Sequence, residues 1–401
     1  MPVAGVRIAA VKAGIRYPDR LDLVLVELSP GSEVAAVFTR NLFCAAPVQV
    51  ARRHLQDSPC RYLLINTGNA NAGTGEVGVN DALACCEAVA RQIPESGRIP
   101  VQTEQILPFS TGVIGERLPV QRIVKAVPAA IADLGENHWE AAANGILTTD
   151  TRPKIASTMV SFRSKGAATV TGIAKGAGMI RPDMATMLAF VFTDAKVEKP
   201  LLHELLNRVV NRSFNRITVD GDTSTNDSCV LVATGESGCV VAEDDRQALD
   251  ALTDGLQSVF RQLATELIRD AEGASKFISI NVINGSTTDE CLAVAYAIAE
   301  SPLVKTAFFA SDPNWGRILA AVGRAGLRDL NIDRVSITLG DTPLVENGSV
   351  AESYTETDGQ AEMDKDEITV VVDLARGDCR ETVWTSDLSH DYIRINAEYR
   401  T

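Results

Sequence analysis

One stretch of the sequence, residues 175–194 (KGAGMIRPDMATMLAFVFTD), combines residue types that could support covalent catalysis. Its glycines and its proline predict an irregular loop, because glycine permits backbone angles that other residues avoid and proline lacks an amide hydrogen. Residues 187–192 are all apolar and predict a strand that is buried on both faces. Thr186 therefore places a hydroxyl at the junction of the loop and the buried strand, where a fixed nucleophile would be useful.

The Thr186 hydroxyl is a weak nucleophile and needs a base to remove its proton. The chain has four histidines, so a histidine base is scarce. An N-terminal threonine can use its own α-amine, whose pKa of about 7.7–8.0 leaves roughly a tenth of it or more neutral, and therefore basic, near pH 7. Because Thr186 is internal, this chemistry requires a cut after Ala185. The alternative interpretation is a glycine-rich turn before a core strand, with Thr186 as a capping hydroxyl.

The stretch resembles the signature of the ornithine acetyltransferases, which are ArgJ-type glutamate N-acetyltransferases of arginine biosynthesis. The matching segments are residues 175–180 (KGAGMI) and residues 184–188 (MATML). Two positions depart from the commonest family form, since Ala177 is often serine and Asp183 is often asparagine. Neither of these residues is the expected nucleophile, but Asp183 adds a negative charge near the expected cut.

The resemblance implies an enzyme that cuts itself between Ala185 and Thr186. The products would be an α-chain, residues 1–185, and a β-chain, residues 186–401, with a core to about residue 280 and a C-terminal domain over residues 281–401. Thr186 would then accept acetyl from N2-acetyl-L-ornithine as an ester and pass it to L-glutamate in a ping-pong reaction. Two such pairs of chains form the α2β2 assembly of relatives. No bound cofactor is expected, and acetyl-CoA as a second acetyl donor stays open.

A second motif, residues 106–119 (ILPFSTGVIGERLP), has the residue types of an oxyanion hole. A turn that contains glycine can direct a backbone N–H and a neighbouring hydroxyl toward one point. Ser-Thr-Gly turns are common, so the pattern alone is a weak signal. The resemblance assigns the two oxyanion donors to the side chain of Thr111 and the backbone N–H of Gly112.

Two charged residues of opposite sign would suit substrates that carry both a carboxylate and an ammonium group. Lys175 can pair with a carboxylate, although a lone loop lysine is more often a surface residue. Glu272 can pair with an ammonium group. The resemblance assigns the other substrate contacts to a set of polar residues: Thr149, Thr186, Asn396 and Thr401.

The composition indicates a globular protein that anionic partners would repel. The chain has 401 residues, of which 45% are hydrophobic, and its net charge is −14, which disfavours nucleic acid and anionic membranes. No apolar run reaches the roughly 18 residues of a transmembrane helix, and the N-terminus lacks a signal-peptide pattern, so a cytoplasmic location is expected. The cysteines form no CxxC pair and the histidines no HExxH motif, so free thiols and no metal are expected.

The hydrophobic pattern predicts an α/β protein. Strands are expected at residues 5–10, 21–27, 33–38, 61–66, 155–163, 168–174, 187–192, 277–283, 335–339 and 368–373. Helices are expected at residues 81–93, 119–134, 138–144, 199–213, 243–270 and 288–300, with a further helix that starts at Asp312 and Pro313. The resemblance implies a layered αββα-like architecture of the ArgJ and DmpA-type superfamily, with a smaller α/β C-terminal domain.

Three polar segments are expected to form loops. Residues 66–75 lack the spacing of nucleotide-binding loops, and residues 218–228 lack the spacing of a calcium loop. The family contains both segments, which are therefore expected to lie near the site. Residues 145–154, with three threonines and an aspartate before a proline, predict a solvated turn.

Two other functions stay open at this point. One is a hydrolase related to the β-peptidyl aminopeptidases, in which water replaces glutamate as acceptor and free acetate forms instead of acetylglutamate. The other is an uncleaved binding protein, which would run on a denaturing gel as one band near 42.9 kDa.

Overall fold

A computed structural model describes residues 1–163, 166–181 and 187–398. The chain divides into two compact units, each made of several segments. The first unit comprises Met1–Gly176, Pro182–Asn215 and Thr223–Leu267, and the second comprises Ala177–Arg181, Arg216–Asp222 and Ile268–Thr401. The expected cut after Ala185 lies outside the described residues, so the division into an α-chain and a β-chain stays a prediction.

The strands are numbered in chain order. They are β1 (Val6–Val11), β2 (Leu23–Leu28), β3 (Glu33–Phe38), β4 (Tyr62–Asn69), β5 (Ile106–Val113), β6 (Lys154–Phe162), β7 (Gly166–Lys175), β8 (Leu188–Thr193), β9 (Lys196–Val197), β10 (Ile217–Thr218), β11 (Ser228–Ala233), β12 (Val240–Val241), β13 (Phe277–Gly285), β14 (Ser336–Leu339), β15 (Thr342–Glu346), β16 (Ser349–Val350), β17 (Glu367–Asp373) and β18 (Cys379–Ser386).

The helices are numbered in the same way. They are α1 (Ala46–Asp57), α2 (Gly75–Glu95), α3 (Val120–Ala132), α4 (Trp139–Gly145), α5 (Lys199–Val210), α6 (Arg246–Arg269), α7 (Thr288–Ala299), α8 (Pro302–Phe309), α9 (Trp315–Gly323), α10 (Glu356–Met363) and α11 (His390–Ala397).

Two sheets of the first unit pack face to face. The strand order is β1-β2-β4-β5 in one sheet and β3-β11-β8-β7-β6 in the other. Apolar side chains from both sheets share one core, in which the rings of Phe109 on β5 and Phe190 on β8 meet edge to face at 5.1 Å. Every residue of β8 is buried, which confirms the predicted strand after the glycine-rich loop.

Helices cover the outer faces of both sheets in the first unit. Val89 of α2 and Val127 of α3 pack with Leu25 and Leu64 on the outer face of the four-stranded sheet. On the other side, α5 contacts β3 and β11, and α6 lies against β6 and β7. The order of helices, sheet, sheet and helices confirms the α/β class and the layered αββα-like architecture.

The second unit is a mixed seven-stranded sheet with the order β10-β18-β13-β17-β14-β15-β16. Alternate residues of the central strands pack with α7, α8 and α9, and with Met363 of α10, in one core. In the described part of the chain, no single helix is long and apolar enough to cross a membrane. The pair α7 and α8 meets that test together by length and composition, but it is bent by 58°.

Two element boundaries in the first unit differ from the prediction. The predicted start of a helix at residue 81 is wrong, because α2 begins at Gly75 and Asp81 lies inside it, where its carboxylate pairs with Arg117. The strand predicted to end at residue 66 continues to Asn69, because β4 stays paired with β5 over those residues. Helix α1 is absent from the prediction, and its first residue follows Ala45, which provides no side-chain cap.

The predicted helix start at Asp312 is also wrong. Helix α9 begins at Trp315, and the side chain of Asn314 caps it by accepting a hydrogen bond from the Arg317 amide at 3.2 Å. Asparagine is among the preferred capping residues, so the sequence signal for the helix start is Asn314, two residues after Asp312.

Gly255→Ala should lower the melting temperature, although alanine favours helix by about 1 kcal/mol over glycine. An added Cβ on this residue of α6 would lie 2.3 Å from Val160 Cγ2, and overpacking costs about 1–3 kcal/mol. Gly323→Ala in α9 is the matched control, because nothing lies within 4 Å of its Cβ position, and it should leave stability unchanged or raise it. Thermal unfolding followed by circular dichroism compares the two, and equal shifts would contradict the close packing of α6.

Candidate active site

Thr111 and Gly112 lie near the end of β5, beside the parallel strand β4. The register pairs Thr67 with Thr111 and Gly68 with Gly112. Gly112 has a φ of +134°, an angle that residues other than glycine rarely adopt. A Cβ at this position would lie 2.3 Å from the carbonyl carbon of Gly68. The close approach of these two strand ends therefore requires glycine at residue 112.

Lys175 is the last residue of β7, and its Nζ donates a hydrogen bond to Thr111 Oγ1 at 3.1 Å. Strand β7 belongs to the five-stranded sheet, whereas Thr111 is on a strand of the four-stranded sheet. The structure thus brings together the cation and the hydroxyl that the sequence indicated separately.

Asp150 lies in the loop that follows α4 and interacts electrostatically with Lys175. The predicted solvated turn is wrong for Asp150, because its side chain and that of its ion-pair partner Lys154 are both 0% exposed. Its carboxylate also accepts hydrogen bonds from the amides of Gly176 at 2.7 Å and Thr148 at 3.0 Å. Thr149, which is the expected substrate contact and precedes Asp150 in the chain, is half-buried.

The charge of Asp150 is set by its lysine neighbours. Burial acts to raise the pKa of Asp150, but the charges of Lys175 and Lys154 outweigh it and hold the pKa below its ordinary value. The carboxylate is therefore ionised at neutral pH. It anchors Lys175 electrostatically and holds the next residue, Gly176, through its amide.

Asn226 is a buried side chain that cross-links the strand ends. Its Nδ2 donates to the carbonyl oxygens of Ala70 at 2.6 Å and Ser110 at 2.9 Å, and its Oδ1 accepts from Thr225 Oγ1 at 2.6 Å. Ser110 directly precedes Thr111 in β5. The amide of Asn226 therefore fixes the backbone that leads into the expected oxyanion donors.

Asp227, the next residue, is buried at 3% exposure. Its Oδ2 has no hydrogen-bond partner among the described residues. Burial raises the pKa of Asp227 well above its ordinary value, while hydrogen bonds with Ser224 and the charge of Lys175 act in the opposite direction. The sequence analysis did not single out either Asn226 or Asp227. The available signal was two polar residues directly before a strand, β11, whose residues are all buried.

Glu272 and Asn396 are brought together in the second unit. Asn396 Nδ2, on α11, donates to Glu272 Oε2 at 2.7 Å, and the Glu272 amide donates to the carbonyl of Ala177 at 2.8 Å. A Cβ on Gly178 would lie 2.4 Å from Glu272 Oε2. The second glycine of the KGAGMI segment thus permits the carboxylate to approach the backbone.

Asp220 holds the same segment at its other end. Its carboxylate accepts hydrogen bonds from the amides of Met179 at 2.7 Å and Ile180 at 3.0 Å, and from the Tyr392 hydroxyl at 3.1 Å. Met179 has a φ of +52°, an uncommon angle for a residue with a side chain. Residues 177–180 are therefore held through their backbone by the side chain of Asp220 and the main-chain amide of Glu272.

Three expected site residues, Ala185, Thr186 and Thr401, lie outside the described residues. Met187, the residue after Thr186, is described, and its carbonyl accepts a hydrogen bond from the Ser228 amide at 2.9 Å. In the first unit, a cation, a hydroxyl and a glycine amide lie near one another. In the second unit, an acid and an amide form a separate polar group.

Asp227→Asn should reduce the pH dependence of stability. A carboxyl group whose pKa is raised on folding contributes stability that is complete below its unfolded pKa, about 3.9, and is lost as pH rises through its folded pKa. The isosteric neutral variant should therefore lose less stability than wild type as pH rises. Melting temperatures across a pH series test this, with Asp222→Asn at an exposed site as a control that should keep the wild-type dependence. Parallel curves for wild type and Asp227→Asn would contradict the raised pKa of the buried Asp227 carboxyl group.

Comparison with known proteins gives a consistent result over the whole chain. The ArgJ family model matches residues 7–401. The arginine biosynthesis bifunctional protein ArgJ of Pseudomonas fluorescens is 53% identical over 404 residues, covering 100% of this chain and 97% of that protein. The corresponding protein of Methylococcus capsulatus is 54% identical over 400 residues, covering 100% of this chain and 96% of its own length.

A solved structure also matches. The crystal structure of the arginine biosynthesis bifunctional protein ArgJ of Bacillus halodurans has a TM-score of 0.50 and 35% sequence identity, and it covers 52% of this chain and 97% of that chain. A family match over nearly the full length, together with relatives above 50% identity, leaves one assignment: the chain belongs to the ArgJ family.

Proposed function

We propose that this protein is a glutamate N-acetyltransferase that moves acetyl from N2-acetyl-L-ornithine to L-glutamate in the cyclic pathway of arginine biosynthesis. Full-length similarity to relatives named as bifunctional arginine biosynthesis proteins supports this proposal. The structural observation that carries it is the Lys175–Thr111 contact of 3.1 Å, next to Gly112. A lysine ammonium group beside a hydroxyl and a glycine supports the proposed roles of Lys175 toward a substrate carboxylate and of Thr111 and Gly112 toward an oxyanion.

Self-cleavage is the first step of the proposed mechanism. The Thr186 hydroxyl attacks the carbonyl carbon of Ala185, the acyl group moves from nitrogen to oxygen, and water opens the ester to free the Thr186 amine. A β-chain of residues 186–401 would be about 54% of the sequence. The solved chain of the Bacillus halodurans relative corresponds to 52% of this chain, which supports a separate chain of that size.

Acetyl transfer then proceeds through an ester of Thr186. The Thr186 amine takes the hydroxyl proton as its oxygen attacks the acetyl carbon of N-acetylornithine, and the proton leaves with the ornithine amine. The α-amine of glutamate attacks the ester in the second half of the reaction. Thr111 and Gly112 stabilise the oxyanion in both halves, each donor contributing about 3–4 kcal/mol.

The remaining residues bind the substrates. Lys175 pairs with a carboxylate of either substrate, and Glu272 pairs with the side-chain ammonium group of N-acetylornithine. Thr149, Asn396 and Thr401 complete the proposed pocket.

Further parts of the proposal concern the assembly and the donor. We infer an α2β2 assembly and a cytoplasmic location. The mechanism needs no bound cofactor or metal. Acetyl-CoA is proposed as a second acetyl donor, in line with the bifunctional names of the relatives. An assay of acetylglutamate from glutamate and acetyl-CoA tests the second donor.

The deciding assay for the proposed function follows acetylglutamate formed from N-acetylornithine and glutamate. Stoichiometric acetylglutamate and ornithine support the transferase. Free acetate without acetylglutamate would favour a hydrolase of the β-peptidyl aminopeptidase kind. A single inactive chain would favour a binding protein.

Thr186→Ala should abolish self-cleavage and transferase activity, because it removes the hydroxyl that both steps use. A denaturing gel should show two bands for wild type and one band near 42.9 kDa for the variant. Thr158→Ala on β6 is the control and should be cut like wild type. Terminal sequencing that finds no chain beginning at Thr186 in the wild-type protein would rule the mechanism out.

Glu272→Gln should raise the KM for N-acetylornithine by about 10-fold or more, because a hydrogen bond to a charged group contributes about 1.5–3 kcal/mol. The glutamine keeps the shape of the side chain, so cleavage should persist on the gel. Asp391→Asn, an exposed change on α11, is the control and should leave the KM unchanged. An unchanged KM for Glu272→Gln in cleaved protein would remove Glu272 from the substrate pocket.

A further inference from the structure

Lys175 makes a contact that binding of a substrate carboxylate does not require. Its ammonium group can only donate hydrogen bonds, so Thr111 Oγ1 is the acceptor of the 3.1 Å contact. A threonine hydroxyl has one hydrogen to donate and can accept two. Because Lys175 occupies the acceptor side, the hydrogen of Thr111 must be directed to another group. This is the orientation that an oxyanion donor needs.

The ammonium group of Lys175 interacts electrostatically with the carboxylate of Asp150. Asp150 is buried, and its carboxylate accepts from the Gly176 amide at 2.7 Å, which fixes the backbone next to Lys175. Lys154 shares the same carboxylate, and both lysines interact with it electrostatically. The position of the Lys175 side chain is thus tied to a buried charge in the first unit and not to a solvated loop.

The Thr111 side of the contact is fixed as well. Asn226 Nδ2 holds the carbonyl of Ser110 at 2.9 Å, and the hydroxyl of Ser110 donates to Asn66 Oδ1 at 2.5 Å. Thr111 itself is 8% exposed. Neither partner of the Lys175–Thr111 contact therefore needs to reorganise when negative charge develops nearby, which is the condition under which such donors are most effective.

We propose that Lys175 is a positioning residue of the oxyanion hole, held by Asp150, and that it orients and polarises the Thr111 hydroxyl toward the acyl oxygen. The proposal rests on the proposed acetyl transfer and adds a second role for Lys175 in it. No proton moves along the three groups. Donation by a cation to the hydroxyl oxygen strengthens the hydrogen bond that the hydroxyl makes in turn. Lys175 should therefore affect kcat as well as KM.

A residue that only binds the substrate carboxylate would behave differently. Its loss would raise KM and leave kcat unchanged, because ground state and transition state would be weakened alike. A residue that acts through Thr111 should lose its effect on kcat when the Thr111 hydroxyl is absent. Two variants that interact in this way are non-additive, which a double-mutant cycle measures.

The test is a cycle of Lys175→Met with Thr111→Val, both of which keep the approximate size of the side chain. Thr111→Ser is the matched control, because it keeps the hydroxyl. Steady-state kcat and KM for N-acetylornithine and glutamate are measured per cut enzyme, as quantified on a denaturing gel. Melting temperatures confirm that each variant is folded.

Thr111→Val should lower kcat about 100-fold. Lys175→Met should lower kcat by about tenfold or more in the wild-type and Thr111→Ser backgrounds, and should lower it no further in the Thr111→Val background. Asp150→Asn should lower kcat in the same background-dependent way. Additive kcat effects of Lys175→Met and Thr111→Val, or a Lys175→Met effect confined to KM, would overturn the proposal.

The outcomes also distinguish a failure of the proposed acetyl transfer from a failure of the positioning role of Lys175. A wild-type protein that forms no acetylglutamate contradicts the proposed function and the role of Lys175 within it. A wild-type protein that is an active transferase, with independent effects of Lys175→Met and Thr111→Val, contradicts the positioning role alone.

Discussion

The ionised carboxylate of Asp150 is the interaction on which the first unit's polar cluster depends. Removing charges from water costs several kcal/mol per ion unless each is paired and hydrogen-bonded. Asp150 meets that condition with Lys154, the charge of Lys175 and the amides of Thr148 and Gly176. The loop after α4, the start of β6 and the end of β7 are therefore fixed together, and Lys175 reaches Thr111 from this fixed position.

Glycine residues set the second constraint, since they let charged or polar groups approach backbone where a side chain would clash. At Gly112 the obstacle would be the backbone of Gly68, at 2.3 Å, and at Gly178 it would be the carboxylate of Glu272, at 2.4 Å. An ordinary turn requires glycine for its backbone angles, whereas at these two positions any side chain would also clash with neighbouring atoms. Because Gly178 has no side chain, the Glu272 carboxylate can approach the backbone at residue 178.

The sequence predicted much of the fold and only parts of the site. Strand β8 was evident because six apolar residues follow a glycine-rich loop, and the layered architecture followed from the family resemblance. The burial of Asp150 was not evident, because its partners Lys154 and Lys175 are polar residues on two different strands, and a polar loop alone predicts solvation. The Lys175–Thr111 contact joins residues 64 positions apart on different sheets, a proximity that no local pattern encodes.

The same reasoning accounts for one of the two departures from the family motif, Ala177, whereas Asp183 lies outside the described residues. Ala177 contributes its carbonyl oxygen to the hydrogen bond from the Glu272 amide, and its side chain is buried at 1% exposure. A carbonyl is common to every residue, so the exchange of serine for alanine leaves this contact intact. Met179 and Ile180 are likewise held through their amides by Asp220. The segment that leads toward the expected cleavage bond is therefore positioned by backbone contacts, which tolerate side-chain changes as long as Gly178 is kept.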